Sequence, residues 1–221
     1  MRCCIVRHGE TPWNAERRLQ GHQDIPLNEL GLTQAAAAAR YLARRHAASP
    51  FSGVISSDLR RARQTADAIA TALHLVVQDA PGLRERHYGD FEGKTPAEAE
   101  RYDPQAYAAL VARDDLTAAP GLAEPLSGMV TRIESCIRRL AETHADQSMV
   151  LVTHGGVLDV LYRRAMGRVL TGPRDAPIPN AGLNWLEVTP DGNASATGLR
   201  WQMVAWGETA HLEGASLDEI L

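Results

Sequence analysis

Short runs rich in apolar residues are each closed by charged or turn-forming residues, a pattern that predicts buried strands. They lie at residues 3–6, 51–56, 75–77 and 149–152. Because these runs do not alternate with polar residues, we expect both faces of the strands to be covered, as in a parallel sheet. Residues 183–188 and 199–206 predict two closing strands around the turn Pro190-Asp191-Gly192.

Between the strands, apolar residues recur at helical spacing. Helices are predicted over residues 33–46, 59–73, 130–144 and 157–166. The first follows the turn-like Asn28-Glu29-Leu30-Gly31, and Ser57 or Asp58 is expected to cap the second. From about residue 80 to 125 the pattern weakens to short helical pieces, which we interpret as an inserted, partly helical cap. Strands alternating with helices predict a single α/β domain over residues 1–221, with a mostly parallel sheet.

The composition narrows the function. Of the 23 basic residues among 221, 22 are arginine and one is Lys94, so Schiff-base chemistry has one candidate. A Walker-type phosphate loop is excluded, because the glycine that it needs upstream of Gly93-Lys94-Thr95 is replaced by Tyr88. The formal net charge of -4 argues against nucleic acid as a partner.

The sequence shows no candidate membrane span or signal peptide. No apolar run approaches ~18 residues, and the run at residues 3–6 is ended by Arg7 and His8. Cys3 and Cys4 are adjacent on a predicted strand and should point to opposite faces, while Cys136 lies on a predicted helix. Their spacing matches no metal site, so reduced structural thiols are expected. We therefore expect a cytoplasmic protein with no membrane partner.

Two histidines occupy matching positions in the chain. The strand at residues 3–6 leads into Arg7-His8-Gly9, and the strand at residues 149–152 leads into Thr153-His154-Gly155-Gly156. Ligands of open α/β sheets bind outside the carboxyl ends of the strands, and the N-terminus of a following helix favours an anion. We expect both histidines to face one anion-binding site.

A histidine nucleophile fits this site better than a metal ion, because H-E-x-x-H and H-x-H spacings are absent. A neutral imidazole can attack phosphorus when one ring nitrogen donates a hydrogen bond and the other is bare. Guanidinium groups must then hold the equatorial oxygens, and an acid must protonate the leaving oxygen. Arg7 adjoins His8, and a second group of arginines follows the strand at residues 51–56.

Four blocks of sequence succeed one another along the chain. They are Arg7-His8-Gly9-Glu10-Thr11 with Trp13-Asn14 and Arg18-Leu19-Gln20-Gly21, then Ser56-Ser57-Asp58-Leu59-Arg60-Arg61-Ala62-Arg63-Gln64-Thr65-Ala66, then Leu83-Arg84-Glu85 with Gly89-Asp90-Phe91-Glu92-Gly93, and finally Thr153-His154-Gly155-Gly156. Together they resemble the histidine phosphatase superfamily in its phosphoglycerate-mutase-like branch, over roughly residues 3–160. The resemblance implies a three-layer α/β/α sandwich and neither a metal nor an organic cofactor.

The resemblance also implies a role for each matching residue. His8 matches the nucleophile that becomes phosphohistidine, and Glu85 matches the general acid that protonates the leaving alcohol and then assists water. The residues that match the phosphate-binding groups are Arg7, Asn14, Gln20, Gly21, Arg61, His154 and Gly155. An acid that works near neutral pH needs a raised pKa, which we predict for Glu85.

The family position directly before Ala62 selects Arg61 as the catalytic arginine of its group. The other charged motif residues are expected at the surface or in structural roles, namely Arg60, Arg63, Arg84, Arg86, Glu10 and Glu92. Contact of Arg84, Arg86 or the cap with the substrate is left open, and His22 receives no role.

Hydrolysis of a small phosphate monoester is the favoured function. Phosphoglycerate mutases, the alternative, carry a longer segment between the acid and the second histidine, with a tandem arginine pair that grips the substrate. Here 68 residues lie between Glu85 and His154, and their one tandem pair, Arg138-Arg139, is expected at the surface. The glutamine at position 20 also resembles the residue found in the phosphatases more than that found in the mutases. A non-catalytic phosphate-binding protein is disfavoured, because every catalytic position is filled. Monomer and homodimer both remain open.

Overall fold

The computed structural model describes residues 1–114, 121–192 and 198–213. Its strands are β1 (Arg2–Arg7), β2 (Gly53–Ser56), β3 (Val77–Asp79), β4 (Ser148–Thr153), β5 (Leu183–Pro190) and β6 (Leu199–Glu208). They form one sheet in the order β3-β2-β4-β1-β5-β6. Strands β1 to β4 are parallel, and β5 and β6 continue the sheet antiparallel at one edge. The mostly parallel sheet is therefore confirmed.

Helices cover both faces of the sheet. They are α1 (Pro12–Ala15), α2 (Glu29–Ala48), α3 (Arg60–Leu73), α4 (Pro96–Tyr102), α5 (Pro104–Ala112), α6 (Leu126–Thr143) and α7 (Gly155–Ala165). Alternate residues of β1 point to opposite faces, as strand geometry requires. Cys3 and Ile5 pack with α6 and α7, whereas Cys4 and Val6 pack with α2 and α3. The predicted three-layer α/β/α sandwich is confirmed.

The central strands end level with one another. Arg7 of β1 pairs with Thr153 of β4, and Ser56 of β2 pairs with Val152 of the same strand. The residues that directly follow β1 and β2 still bond to β4, because His8 N donates to Thr153 O and Ser57 N donates to Val152 O, both at 2.9 Å. The parallel register thus brings the residues that follow β1, β2 and β4 to one edge.

The segment from β3 to α6, which includes the expected cap of about residues 80–125, is partly helical. It carries short 3-10 turns at Pro81–Leu83 and Gly89–Phe91, followed by α4 and α5. Phe91, Ala99 and Ala106 form a small apolar cluster of their own, against which Tyr107 packs. Residues 115–120 of this segment lie outside the described part of the chain, as do residues 193–197 and 214–221.

Several element boundaries differ from the predictions. Helix α2 begins at Glu29, because the Asn28 side chain accepts from Gly31 N at 2.7 Å and caps a helix where a turn was expected. Helices α6 and α7 likewise begin earlier than predicted, at Leu126 and Gly155. The strand predicted at residues 75–77 is shifted to β3, because Leu75 N still bonds to Ala70 O at the end of α3.

The predicted cap of α3 is wrong. Its N-cap residue is Leu59, which makes no side-chain cap bond. Instead, Asp24 from a distant loop accepts the hydrogen bond of Arg60 N at 2.6 Å. Asp58 is occupied elsewhere, by Arg84, and Ser57 lies in the candidate site described below. A cap supplied by another part of the chain leaves no local sequence signal.

All three cysteines are buried and free, which agrees with the expectation of structural thiols. Burial raises the pKa of the Cys3 thiol to about 12, so this sulfur stays protonated and unreactive at neutral pH. Across the described residues, no helix is both long and apolar enough to cross a membrane.

Candidate active site

His8 lies one residue beyond β1 and is 3% exposed. Its Nδ1 lies 2.7 Å from the carbonyl oxygen of Gly9. Because a carbonyl only accepts, Nδ1 carries the proton. Burial, followed by the charges of Arg61 and Arg7, lowers the pKa of His8 well below its ordinary value. The ring is therefore neutral at pH 7, with a bare lone pair on Nε2, which is the state that attack on phosphorus requires.

Arg61 projects from the first turn of α3 and is 1% exposed. Its Nη1 and Nη2 donate to the carbonyl oxygens of Gln23 and Gly21, both at 2.8 Å, and its Nε donates to His154 Nδ1 at 3.2 Å. Burial lowers the pKa of Arg61 to about 10, which leaves the guanidinium charged at neutral pH. Each Nη keeps a second hydrogen for a phosphoryl oxygen.

Arg7, the last residue of β1, is the second buried guanidinium. Its Nη1 donates to the Ile178 carbonyl at 2.6 Å, whereas its buried Nε has no hydrogen-bond partner. Burial, and next the charge of Arg174, lower the pKa of Arg7 to about 10, so it too remains charged. A buried donor without a partner is costly, and an anion bound at this edge would satisfy it.

His154 follows β4 and is wholly buried. Its Nδ1 accepts from Arg61, so in the neutral ring the proton is on Nε2, which donates to Ser57 Oγ at 2.8 Å. Burial and the charge of Arg61 lower the pKa of His154 well below its ordinary value. The ring centroids of His8 and His154 are 5.1 Å apart. The two strand-end histidines do face the same site, and both are neutral.

Glu85 follows shortly after the turn at Pro81–Leu83 and is 9% exposed. Its Oε1 accepts from Arg86 N at 2.8 Å, and its Oε2 accepts from Gly156 N at 2.9 Å. The second bond places the carboxyl at the N-terminus of α7. A Cβ on Gly156 would overlap Glu85 Oε1, so any larger residue at this position would displace the Glu85 carboxyl.

Asn14 and Gln20 are joined by Thr11. Thr11 N donates to Asn14 Oδ1 at 3.1 Å, which leaves the single hydroxyl hydrogen of Thr11 Oγ1 for Gln20 Oε1 at 3.0 Å. Thr11 also caps α1, which carries Asn14. With their oxygens turned to Thr11, the two amides have Asn14 Nδ2 and Gln20 Nε2 as donors for an anion.

Gly21 contributes through its backbone. It adopts a φ of +51°, a conformation that favours glycine, and a Cβ there would overlap the Glu92 carboxylate. In this conformation its carbonyl accepts from Arg61. Gly21 therefore orients the guanidinium. Its neighbour His22 binds the Glu85 carbonyl through Nε2 at 2.9 Å.

The remaining motif residues are mostly where the sequence predicts them. Arg60 is exposed, and Arg63 forms surface ion pairs with Asp67 and Asp79. Glu10 and Glu92 are buried structural acceptors, for Asn28 Nδ2 and for the backbone of His22 and Tyr88, respectively. Arg84 is paired with Asp58. The surface expectation is wrong for Arg86, which is 7% exposed because its Nε donates to the Glu124 carbonyl.

Two residues at this edge were missed by the sequence analysis. Ser57 falls inside a recognised block, and its hydroxyl directly after a strand was a usable signal. Arg174 lies in an irregular segment between α7 and β5 with no motif around it. A Cβ on Gly155 would lie 3.6 Å from Arg174 Nη2 and 3.7 Å from Arg7 Nε. Both guanidinium groups therefore lie close to Gly155.

A cavity of about 160 Å³ opens beside Gly156, between α6 and the segment that includes α5. Its walls include Tyr88, Tyr107 and Arg174. A larger cavity, of about 210 Å³, lies against Arg2, Arg45 and other residues outside the four sequence blocks. The smaller cavity, next to the residue that binds Glu85, is therefore the one relevant to this site.

Within residues 1–114, 121–192 and 198–213, no group of three or more histidine, cysteine, aspartate or glutamate side chains is placed to hold a metal ion. The charges that face an anion here come from side chains, with Arg7 and Arg61 as the buried pair.

Comparison with known proteins agrees with the sequence blocks. The family model described as histidine phosphatase superfamily (branch 1) matches residues 3–198. Phosphoglycerate mutase-like protein 4 of Arabidopsis thaliana is 38% identical over 210 residues, which are 95% of this chain and 86% of that protein. The metal-independent phosphoserine phosphatase of the same plant is 34% identical, over 94% of this chain and 82% of that protein.

A solved structure of mycobacterial glucosyl-3-phosphoglycerate phosphatase in complex with VO3 has a TM-score of 0.77. It is 32% identical and covers 94% of this chain and 99% of that one. The fold and sequence of this chain are therefore similar to those of phosphatases as well as of a mutase-like protein.

Proposed function

Because this chain belongs to branch 1 of the histidine phosphatase superfamily, we propose that it hydrolyses a small phosphate monoester through a phosphohistidine on His8. One observation carries the proposal. His8 is held neutral, with Nδ1 donating to Gly9 and Nε2 bare, between two charged guanidinium groups. A neutral nucleophile inside a cationic pocket is suited to a phosphate dianion.

In the first step, the Nε2 lone pair of His8 forms a bond to phosphorus, and the bond from phosphorus to the leaving oxygen breaks. Arg7 and Arg61 bind the phosphoryl oxygens, together with the amide donors of Asn14 and Gln20. Glu85 gives its proton to the leaving alcohol. Its position at the N-terminus of α7 sets it beside the cavity that would hold that alcohol.

In the second step, Glu85 takes a proton from water as the water oxygen attacks phosphorus. The bond between His8 and phosphorus breaks, and Nε2 recovers its lone pair. His154 assists in both steps. It accepts from Arg61 Nε, and its Nε2–H can turn from Ser57 to a phosphoryl oxygen. Gly155 leaves space for that oxygen beside Arg7.

Hydrolysis is favoured over the mutase reaction because the tandem pair Arg138-Arg139 is exposed on α6, outside the cavity. Phosphatases and mutase-like proteins are both among the relatives. The alternative nevertheless has a direct test: phosphoglycerate interconversion that depends on a bisphosphoglycerate primer would assign the mutase reaction.

We also propose that the protein is a single cytoplasmic domain in which residues 80–125 cap the site. The net charge of -4 supports a small-molecule substrate rather than nucleic acid. Tyr107 of α5 forms part of the cavity wall, which supports a role of the α4–α5 segment in substrate choice.

The test is to trap the phosphoryl enzyme. We expect p-nitrophenyl phosphate to be hydrolysed in the presence of a chelator, and quenched enzyme to carry an acid-labile, base-stable phosphoryl group. His8→Ala should lose both the label and turnover, whereas His144→Ala, at a partly exposed histidine after α6, should keep both. A label that persists in His8→Ala, or activity that disappears with the chelator, would contradict the proposal.

A further inference from the structure

The cavity beside Glu85 contains more positive charge than a neutral leaving alcohol requires. Arg86, Arg113 and Arg174 all line it. Gly156, whose N–H binds Glu85, lies on the same wall. The cavity is therefore on the side from which the leaving group accepts its proton, and its arginines lie within reach of that group.

The arrangement is organised around Asp159, a wholly buried carboxylate on α7. It forms ion pairs with Arg113 and Arg163, and its Oδ1 lies 3.6 Å from Arg174 Nε. One carboxylate faces three guanidinium groups, so two positive charges are left uncompensated within this cluster. Burial, and then the charges of Arg174 and Arg163, lower the pKa of Arg113 to about 10, so Arg113 stays charged at neutral pH.

Arg163 holds the segment that positions Arg174. Its Nε binds Asp159 at 2.8 Å, and its two Nη groups donate to four backbone carbonyls. These acceptors are Val169 and Thr171 at 2.9 and 2.8 Å, and Gly172 and Pro173 at 3.2 and 2.6 Å. Gly172 N in turn donates to Ala112 O, next to Arg113. Arg113 and Arg174 are thus fixed in place from two different segments of the chain.

Arg174 lies at the boundary between the phosphate site and the cavity. Its side chain is 36% exposed, and both of its Nη atoms lie near Gly155, as does Arg7 Nε. Arg113 lies deeper, with a side chain 15% exposed. An anionic group on the leaving alcohol could therefore contact Arg174 and Arg113 while the phosphoryl group contacts Arg7.

The other walls of the cavity are apolar, formed by Tyr88, Tyr107, Leu110, Leu126 and Met129. The volume of about 160 Å³ is smaller than the roughly 300–1,000 Å³ of pockets for drug-sized ligands. The cavity therefore suits a short carbon skeleton. Guanidinium groups in fixed positions recognise carboxylates and phosphates by the same paired donors.

Resting on the proposed function, we propose that the preferred substrates are small phosphate monoesters whose alcohol carries a second anionic group, bound by Arg174 and Arg113. Asp159 and Arg163 position these two arginines and do not touch the substrate. The second anion holds the leaving oxygen next to Glu85, so that binding and proton transfer occur in one geometry.

The test compares matched substrates. 3-Phosphoglycerate and glycerol 3-phosphate differ by one carboxylate, and ethylene glycol bisphosphate and 2-hydroxyethyl phosphate differ by one phosphate. In at least one pair, we expect kcat/KM to favour the member whose alcohol carries the second anionic group by about 10- to 100-fold, the range of a charge-assisted hydrogen bond. Arg174→Gln, and independently Arg113→Gln, should reduce that ratio by about 10-fold or more. Arg164→Gln, which removes an arginine paired with Glu134 on the outer side of α7, should leave the ratio unchanged.

The outcomes separate this inference from the proposed function. If the wild-type enzyme hydrolyses both members of each pair equally, the second-anion inference is wrong and the phosphatase stands. If Arg174→Gln lowers kcat/KM equally for both members, Arg174 binds the transferred phosphoryl group and the inference is also wrong. If no monoester is hydrolysed and His8 takes up no phosphoryl group, the proposed function itself fails. A preference confined to one pair identifies the second anion as a carboxylate or a phosphate.

Discussion

The substitution Glu85→Gln is the most direct test of Glu85 as the general acid that protonates the leaving alcohol. The substitution keeps the shape of the side chain but replaces a proton donor by an amide. Glu85 accepts one backbone N–H on each oxygen, from Arg86 at 2.8 Å and from Gly156 at 2.9 Å. An amide has a single oxygen, so one of these N–H groups would face an NH2 group and lose its acceptor. The variant therefore removes the proton and disturbs the position at the same time.

The magnitude follows from the chemistry of the leaving group. General acid catalysis contributes about 10²- to 10⁴-fold, which corresponds to roughly 3–5 kcal/mol in the barrier. The full loss applies to alkyl phosphates, whose alkoxides cannot leave unprotonated. It should shrink for phenyl phosphate, since a phenol has a pKa of about 10, and become smallest for p-nitrophenyl phosphate. We expect log(kcat/KM) to depend more steeply on leaving-group pKa in the variant than in the wild type.

The assay is steady-state turnover of a series of alkyl and aryl phosphates by both enzymes, with the pH dependence of kcat/KM recorded for one alkyl member. The limb of the pH profile that belongs to the general acid should be missing in Glu85→Gln. Gly156→Ala reaches the same carboxyl by another route, because the new Cβ would overlap Glu85 Oε1 and lie 3.1 Å from Met129 Cε. An equal loss for every leaving group, or a limb that survives in Glu85→Gln, would refute the assignment of Glu85.

Two further predictions concern stability. His8 and His154 have pKa values well below 6.5 in the folded protein, so below pH 6.5 the unfolded chain binds protons that the folded chain does not. The free energy of unfolding should therefore fall with decreasing pH from about 6.5, by up to about 1.4 kcal/mol per pH unit for each histidine; urea denaturation between about pH 5 and 8 measures it, and a slope that is unchanged in His8→Asn would contradict it. Asp159→Asn should destabilise the protein by about 3–5 kcal/mol, because it leaves buried arginine charge unpaired, whereas Asp67→Asn, at a surface pair with Arg63, should cost under about 1 kcal/mol; similar midpoints for the two variants would refute the central role of Asp159.

The part of the site that lies at the ends of the strands could be predicted from the sequence. A buried apolar run fixes where a parallel strand ends, and parallel strands end at the same edge. His8, Arg7 and His154 could therefore be placed together from the sequence. The arginine group that contains Arg61 also follows a predicted strand, but the choice of Arg61 within that group, and the whole assignment of Glu85, came only from the resemblance to a family. The structure brings Arg61 to His154 through α3, and Glu85 to Gly156 through a backbone contact.

What escaped prediction depends on contacts between distant segments. Asp24 caps α3 from 36 residues away, and the Ser57 hydroxyl that would have capped it locally accepts from His154. Arg174 is positioned by Arg163, which binds four carbonyls in a segment without regular structure. Such side-chain to backbone bonds have no periodicity, so local pattern reasoning cannot find them.

The excess of arginine over lysine has a physical consequence at this site. Burial lowers the pKa of Arg7 and of Arg61 from 12.5 to about 10, and both remain fully charged at neutral pH. A lysine that starts near 10.4 and undergoes the same change would fall to about 8, and would lose part of its charge where the enzyme works. Desolvation thus reduces the charge that a lysine would carry in this pocket, whereas arginine keeps its full charge and also presents several donors. The same reasoning extends to Arg113, whose pKa is also lowered to about 10. The depth of the site, rather than the composition of the chain, is what favours arginine over lysine at these three positions.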